Sequence, residues 1–379
     1  MKRIYLDHNA TAPLDPAVRA WLRKATTLPL GNPGSSHAEG RSAKALVDGA
    51  RQAVAELLGA TPQQVIFTSG GTEANNLALY AARMRAGSPG HAVRTAIEHP
   101  AVAKAVDAWT AHGWQIAVAP VDAVGQVRDW CGAARPAVVA AMLANNEVGT
   151  ILDLAAARRA APQAWLHCDA VQAIGKMAVD FGELQVDSLA VSAHKFGAPP
   201  GVGLLLVREP ALVAPLQLGG GQEGGWRSGT PSALLIQCLH WALQSAVLQM
   251  SQRMATMAMT RDLLQAQIVA ALPSKGLHLL GDQARRLPNT ACLAFDGVSA
   301  EALVMQLDAQ GVAAATGSAC SSGSGSVSPV LLALGGPTRG VLRLSTGPET
   351  TPGDAKRAAA LVVHAVQRLR RLGRATDVQ

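Results

Sequence analysis

Ala137-Val138-Val139-Ala140-Ala141-Met142-Leu143 is apolar without interruption. A strand with one wet face alternates apolar and polar residues; a strand covered on both faces does not. The run therefore predicts a strand sunk inside a sheet with helices on either side. Short runs of the same kind recur at 92–95, 115–118, 165–169, 188–192 and 202–207. Val65-Ile66-Phe67-Thr68 is another, and it stops at Ser69-Gly70-Gly71. Helical spacing fills many of the gaps, at 40–58 before Gly59 and at 72–85. Strands alternating with helices predict an α/β domain around a mostly parallel central sheet. Farther along, 232–272 reads as one or two long helices, 291–295 and 341–345 as strands, and 299–310 and 353–372 as helices. That tail predicts a second, smaller α+β domain.

Composition narrows the function classes. The chain has 379 residues, 49% apolar and 16% charged, enough to bury a large core and unlike a disordered chain. No apolar run is long enough to span a bilayer. No apolar segment of the secretory kind follows Met1-Lys2-Arg3, so a cytoplasmic, soluble protein without a membrane partner is expected. The five cysteines are scattered and lack a C-x-x-C pair, which argues against a disulfide framework or a metal site. Cys131, Cys168, Cys238 and Cys292 lie in apolar or Ala-rich surroundings and read as core residues. The net charge of +7 owes part of its excess to Lys356, Arg357, Arg368, Arg370, Arg371 and Arg374. These read as a solvated helix face, with a docking surface for an acidic protein as the alternative. No aromatic-interleaved basic stretch accompanies them, so no nucleic-acid partner is expected.

Three constellations carry chemistry. Ser69-Gly70-Gly71-Thr72-Glu73 ends a strand and opens a helix, where backbone N–H groups and a hydroxyl can cradle a phosphate. It also reads as an ordinary tight turn with a threonine cap. Asp169 and Lys195 each follow a strand, and ligands of open α/β sheets gather at the carboxyl ends of strands. An aspartate for a pyridinium nitrogen and a lysine for an aldehyde are the minimum that pyridoxal phosphate requires. Spacing alone favours a surface lysine and a capping aspartate over such a site. Gly317-Ser318-Ala319-Cys320 precedes a Ser/Gly-rich tail, a setting that suits an accessible, movable thiol. It is also compatible with an incidental thiol in a linker. Gly219-Gly220-Gly221-Gln222-Glu223-Gly224 matches a dinucleotide fingerprint by letters only, because neither strand nor helix flanks it.

The order and spacing of these pieces resemble the NifS/IscS-like cysteine desulfurases, within the class V aminotransferase superfamily. The resemblance runs from Tyr5-Leu6-Asp7-His8-Asn9-Ala10-Thr11 to the last helix. It takes in Gly31-Asn32-Pro33, Ser36-His37, Glu98-His99, Asn145-Asn146-Glu147 and Asp169-Ala170-Val171-Gln172. It continues through Ser192-Ala193-His194-Lys195, Arg227-Ser228-Gly229-Thr230, Gly317-Ser318-Ala319-Cys320 and Leu342-Arg343-Leu344-Ser345. It implies the fold-type I architecture, with a large cofactor-binding domain over 14–256 and a small domain made of 1–13 and 257–379. It also implies pyridoxal 5'-phosphate as cofactor.

By the same resemblance Lys195 holds the cofactor covalently, Asp169 pairs with the ring nitrogen, His99 stacks on the ring, and Gln172 contacts the ring oxygen. Gly71, Thr72, Ser192 and His194 hold the phosphate, and Thr230 reaches the phosphate of a second subunit in a homodimer. Asn146 and Arg343 clamp the substrate carboxylate, with Asn32 lining the same pocket. Cys320 takes sulfur from L-cysteine as a persulfide, with His99 helping to deprotonate it, and alanine leaves. A sulfur-acceptor protein, such as an iron–sulfur scaffold, would receive it. The longer loop after Cys320 resembles the group with mobile sulfur-carrying loops, which predicts weakly contacted residues there and a thiol some distance from the cofactor. A usual lysine is replaced by Pro200 and a usual arginine by Gly224. The alternative within the superfamily is a selenocysteine lyase or an aminotransferase; the latter needs no thiol.

Overall fold

The computed structural model describes residues 3–131, 135–317 and 327–376, with side chains to 372. Cys320 and residues 321–326 of the segment 321–328 expected to be mobile lie outside the described residues, while its last residue, Ser328, is not weakly contacted but buried and bonded to Glu147. The strands are β1 (Ile4–Tyr5), β2 (Val65–Thr68), β3 (His91–Thr95), β4 (Gln115–Ala119), β5 (Val138–Met142) and β6 (Trp165–Asp169). They continue with β7 (Ser188–Ser192), β8 (Gly203–Val207), β9 (Leu277–Leu280), β10 (Thr290–Phe295), β11 (Val312–Ala313) and β12 (Val341–Ser345).

Seven strands form one sheet in the order β2-β8-β7-β6-β5-β3-β4. Pairing is parallel from β4 through β7, and only β8 runs against its neighbours. β2 is antiparallel to β8, so it points the same way as β7. The carboxyl ends of β2, β3, β5, β6 and β7 therefore lie along one edge.

The uninterrupted apolar runs have the expected cause. Val138, Ala140, Trp165, Ala190 and Leu205 pack on one face with Leu77 and Ala78 of helix Gly71–Ala86. Val139, Ala141, Leu166, Leu189 and Leu204 face the other way, towards helices Ala38–Leu57 and Ala233–Leu248. Both faces are dry, so successive residues must all be apolar.

β12, β10 and β9 form a separate antiparallel sheet. Leu293, Leu342 and Leu344 pack under helices Met250–Ala271, Ala300–Ala309 and Pro352–Thr376. β1 pairs in parallel with β11, which buries Ile4 and Leu6 in that same cluster. The N-terminal segment then passes back to the large sheet's edge.

The stretch at 232–272 divides at Gln249 into Ala233–Leu248 and Met250–Ala271, bent by 76°. No single helix among the described residues is long and apolar enough to cross a membrane. Several elements escaped the sequence reading, among them β11, helix Pro329–Leu334 and two more. Helix Pro16–Ala25 starts at an Asp15 cap that accepts from Ala17 N, with proline in the first turn, a signal that was available. β9 is short and lies at a sheet edge, so it carries little pattern.

Candidate active site

The shared edge gathers the predicted residues. β6 ends in Asp169, and β7 ends in Ser192, followed by a short turn that carries His194 and Lys195. Lys195 Nζ donates to the carbonyls of Asn9 and Ala10, both at 2.8 Å. The N-terminal segment thus places the amine, although it lies 186 residues away in sequence.

Asp169 is 5% exposed. Its Oδ1 accepts from Val171 N at 3.0 Å and its Oδ2 from Asn75 Nδ2 at 2.8 Å. The Asn75 bond belongs to a buried line of partners. Asn75 Oδ1 accepts from His167 Nε2 at 2.8 Å, which leaves His167 Nδ1 to accept from Ser188 Oγ at 2.9 Å. Ser188 Oγ accepts in turn from Trp165 Nε1 at 2.9 Å. Burial holds the His167 imidazole neutral, its pKa pushed down to about 3. Every polarity in the line agrees, so the carboxylate is fixed in orientation. Asn75 and His167 were not singled out in the sequence; alone, each reads as a polar residue in an apolar element.

His99 caps helix Pro100–Asp107, its Nδ1 accepting from Ala101 N at 3.1 Å. The neutral ring therefore carries its proton on Nε2. Burial, with Lys195 nearby, lowers the His99 pKa against the pull of Asp169. This geometry makes His99 a donor through Nε2, whereas the expected thiol deprotonation would need the Nδ1 lone pair already engaged by the cap. Beside it, Glu98 is buried; its Oε1 accepts from Thr95 Oγ1 at 2.5 Å and Met142 N at 2.9 Å. Burial pushes the Glu98 pKa up to about 8.

Gly71 opens helix Gly71–Ala86, whose N-cap Gly70 offers no side-chain cap. A Cβ on Gly71 would stand 2.7 Å from Val171 Cγ2 and 3.1 Å from Ser192 Cβ. Glycine is required there, and the first turn of the helix, with exposed Thr72, has backbone N–H groups that lack intrahelical partners. His194 bonds Thr11 Oγ1 through Nδ1 at 3.0 Å. Burial and the nearby lysines push its pKa down to about 4.

Arg343 lies in β12 and is 1% exposed. Its Nη1 donates to Asn146 O at 3.1 Å and its Nη2 to Asp7 Oδ1 at 2.7 Å, while Nε is buried without a partner. Asn146 O also accepts from Asn9 Nδ2 at 3.2 Å, which links this pair to the Lys195 end of the site. Gln172 joins the same junction, donating from Nε2 to Asn9 O at 2.9 Å.

Two expected residues are not brought in. Asn32 does not line a pocket with Asn146 and Arg343 in this chain. It is exposed, accepts from Gly34 N, and lines an open cavity of about 510 Å³ with Arg51, Glu223 and Trp226. Thr230 is also exposed. Its loop is pinned to the start of helix Gly71–Ala86 by Arg227, which grips Glu73 with two bonds at 2.7 and 3.1 Å.

The flanks of the Cys320 segment meet at one carboxylate. Ser328 Oγ donates to Glu147 at 2.7 Å, and a Cβ on Gly317 would stand 3.2 Å from Glu147 Oε2. Cys168, Cys238 and Cys292 are buried, and burial raises their pKa values: Cys168 well above the ordinary thiol range, Cys238 to about 11 and Cys292 to about 12. They stay thiols, which are poor nucleophiles. Among the described residues no cluster of His, Cys, Asp or Glu is placed to hold a metal.

A lysine and an oriented aspartate at neighbouring strand ends, beside a glycine-opened helix start, fit pyridoxal phosphate; the class is an α/β enzyme dependent on that cofactor. Comparison with known proteins narrows it. Residues 4–357 match the Aminotransferase class-V family, and the chain belongs to that family. It is 39% identical to an IscS-like cysteine desulfurase of Mycobacterium tuberculosis, over 97% of each chain. It is 37% identical to a cysteine desulfurase of Rhodobacter capsulatus, again over 97% of each. A solved NifS-like protein superposes with a TM-score of 0.86 at 30% identity, covering 96% of this chain and 98% of that one.

Proposed function

We propose that the chain is a cysteine desulfurase that removes sulfur from L-cysteine, leaving L-alanine and a persulfide on Cys320. The observation that carries this is that Asn9 joins Lys195, one strand end away from Asp169, to the Arg343–Asn146 pair. The bound cofactor supplies an electron sink that acidifies the substrate's Cα proton and opens its sulfur to attack.

The chain's own residues divide the remaining work. Lys195 Nζ holds the cofactor and then moves the proton at Cα. Asp169, locked by Asn75 and Val171, would accept a hydrogen bond from the ring N–H and so keep that nitrogen protonated. Helix Gly71–Ala86, with Thr72, Ser192 and His194, takes the phosphate. Gln172 would contact the ring oxygen and His99 would stack on the ring. Arg343 and Asn146 bind the substrate carboxylate, for which the unpartnered Arg343 Nε supplies a donor. The Cys320 thiolate attacks the substrate sulfur: an S–S bond forms, the Cβ–S bond breaks, and Cβ gains a proton as alanine leaves.

Three finer readings belong here. A homodimer would let exposed Asn32 and Thr230 complete the partner's site. A two-part organisation at 14–256 against 1–13 with 257–379 is supported by the separate apolar cluster that unites Ile4 and Leu6 with the last helix. Free cysteines among the described residues support a reducing, cytoplasmic setting, and the likeness to cysteine desulfurases of the IscS kind supports a protein acceptor for the sulfur, such as an iron–sulfur scaffold.

The deciding experiment is incubation of the cofactor-loaded protein with L-cysteine, following alanine and sulfide. Equal release of both with a reductant is expected. Amino-group transfer to a keto acid, with no sulfide, would overturn the reading in favour of an aminotransferase.

A further inference from the structure

Lys176 follows β6 in a turn and is 3% exposed. Lysines are seldom so buried without a charged partner. Its Nζ donates to Gln172 Oε1 at 2.6 Å, and among the described residues no carboxylate pairs with it. The charged groups it feels are Lys195 and Arg343, both positive; with burial as the larger cause, they hold its pKa well below the ordinary lysine range. The mechanism above does not use this amine.

Its placement is specific. Gly175, just before it, has φ +78, and a Cβ there would stand 2.7 Å from Phe196 Cβ. Only glycine lets the turn come this close to the segment that follows Lys195.

The hydrogen bonds determine which way the Gln172 amide points. Asn9 O can only accept, so the Gln172 NH₂ faces it at 2.9 Å. Asn9 O also accepts from Lys195 Nζ at 2.8 Å. On the other side the Lys176 amine supplies an N–H, so the amide oxygen faces Lys176. Remove the amine and only Asn9 O still anchors the amide. An amide held at one end is free to swing its second N–H away from an anionic ring oxygen.

We propose that Lys176 is a positioning residue of the cofactor site: it holds the Gln172 carbonyl oxygen and so keeps the Gln172 N–H groups turned towards Asn9 O and the ring oxygen of pyridoxal phosphate. This rests on the cofactor reading above. A donor to the ring oxygen stabilises its anion. Loss of that donor makes the site hold its proton more tightly, and the titration midpoint of the bound cofactor rises.

The test uses the cofactor-loaded enzyme as wild type, Lys176→Met, Gln172→Ala and the double variant. Each is titrated by the visible absorbance of the bound cofactor. Both single variants should raise the midpoint by about one pH unit, the equivalent of one hydrogen bond to a charged group, and the double should rise no further. A shift in Gln172→Ala with none in Lys176→Met, or shifts that add, would overturn the proposal. No shift in Gln172→Ala would mean that Gln172 does not touch the ring, which sinks the proposal together with that assignment and leaves the desulfurase reading to its own assay. Lys176→Leu removes the same donor and replaces Lys176→Met should that chain not fold.

Discussion

Arg343→Lys is the sharpest test of substrate recognition. In the structure the guanidinium spreads over two partners, Asn146 O at 3.1 Å and Asp7 Oδ1 at 2.7 Å, with Nε left over. A lysine keeps the charge but concentrates it on one nitrogen with no planar fork. It can serve one partner or one carboxylate oxygen, not the set. A hydrogen bond between charged groups contributes about 1.5–3 kcal/mol. At about 1.4 kcal/mol per factor of ten, loss of one prong lowers kcat/KM for L-cysteine by roughly ten- to a hundredfold. Cofactor content should stay intact, because Lys195 and Asp169 keep their own partners. The apoprotein should also unfold more easily, since one lysine nitrogen cannot keep both the ion pair with Asp7 and the bond to Asn146 O. Asp7→Asn separates the two effects by removing that ion pair while leaving the fork. Steady-state kinetics with absorbance of bound cofactor decide it. A folded, fully loaded Arg343→Lys enzyme with wild-type kcat/KM would refute the assignment of Arg343 to the carboxylate.

Four further outcomes are expected. Lys195→Ala should fold but lose covalently bound cofactor and form no alanine; turnover near wild type would remove Lys195 from the mechanism. Cys320→Ser should keep its cofactor and bind L-cysteine, yet form no protein persulfide by mass spectrometry; full desulfurase activity would show that another group carries the sulfur. Mixing a Thr230-defective with a Lys195-defective chain should restore part of the activity, since one shared site is then intact; an active monomer in ultracentrifugation would contradict this. Glu98 has a folded pKa raised to about 8 from 4.5, so its stabilising contribution is full below 4.5 and is lost as pH rises through about 8; Glu98→Gln should remove that decline from melting temperatures, and an unchanged slope would place the titration elsewhere.

Much of the fold was legible because burial on both faces of a parallel sheet leaves a direct trace in sequence. The run around Val139 could be read as a central strand with no knowledge of its neighbours, and Asp169 and Lys195 could be placed at strand ends. The carboxyl-end rule then put both in one region. Motif order supplied Arg343, Asn146 and Gln172 through resemblance rather than spacing.

Contacts between distant segments were not legible, since nothing local encodes them. The Asn9 carbonyl gathers Lys195 and Gln172, whereas in sequence it belongs to a polar stretch near the N-terminus. The line from Trp165 to Asp169 depends on β6 lying beside β7 and on helix Gly71–Ala86 crossing them. Sequence alone determined the layered α/β class, the chemistry-bearing residue types and their order along the chain, because periodicity and turn residues are local. Tertiary structure alone decided which polar atoms meet, that His99 spends its Nδ1 on a helix cap, that Arg343 is already held by Asp7, and that Lys176 backs Gln172. Hydrogen bonds need partners within about 3 Å, and only the folded chain brings residues so far apart in sequence to that distance.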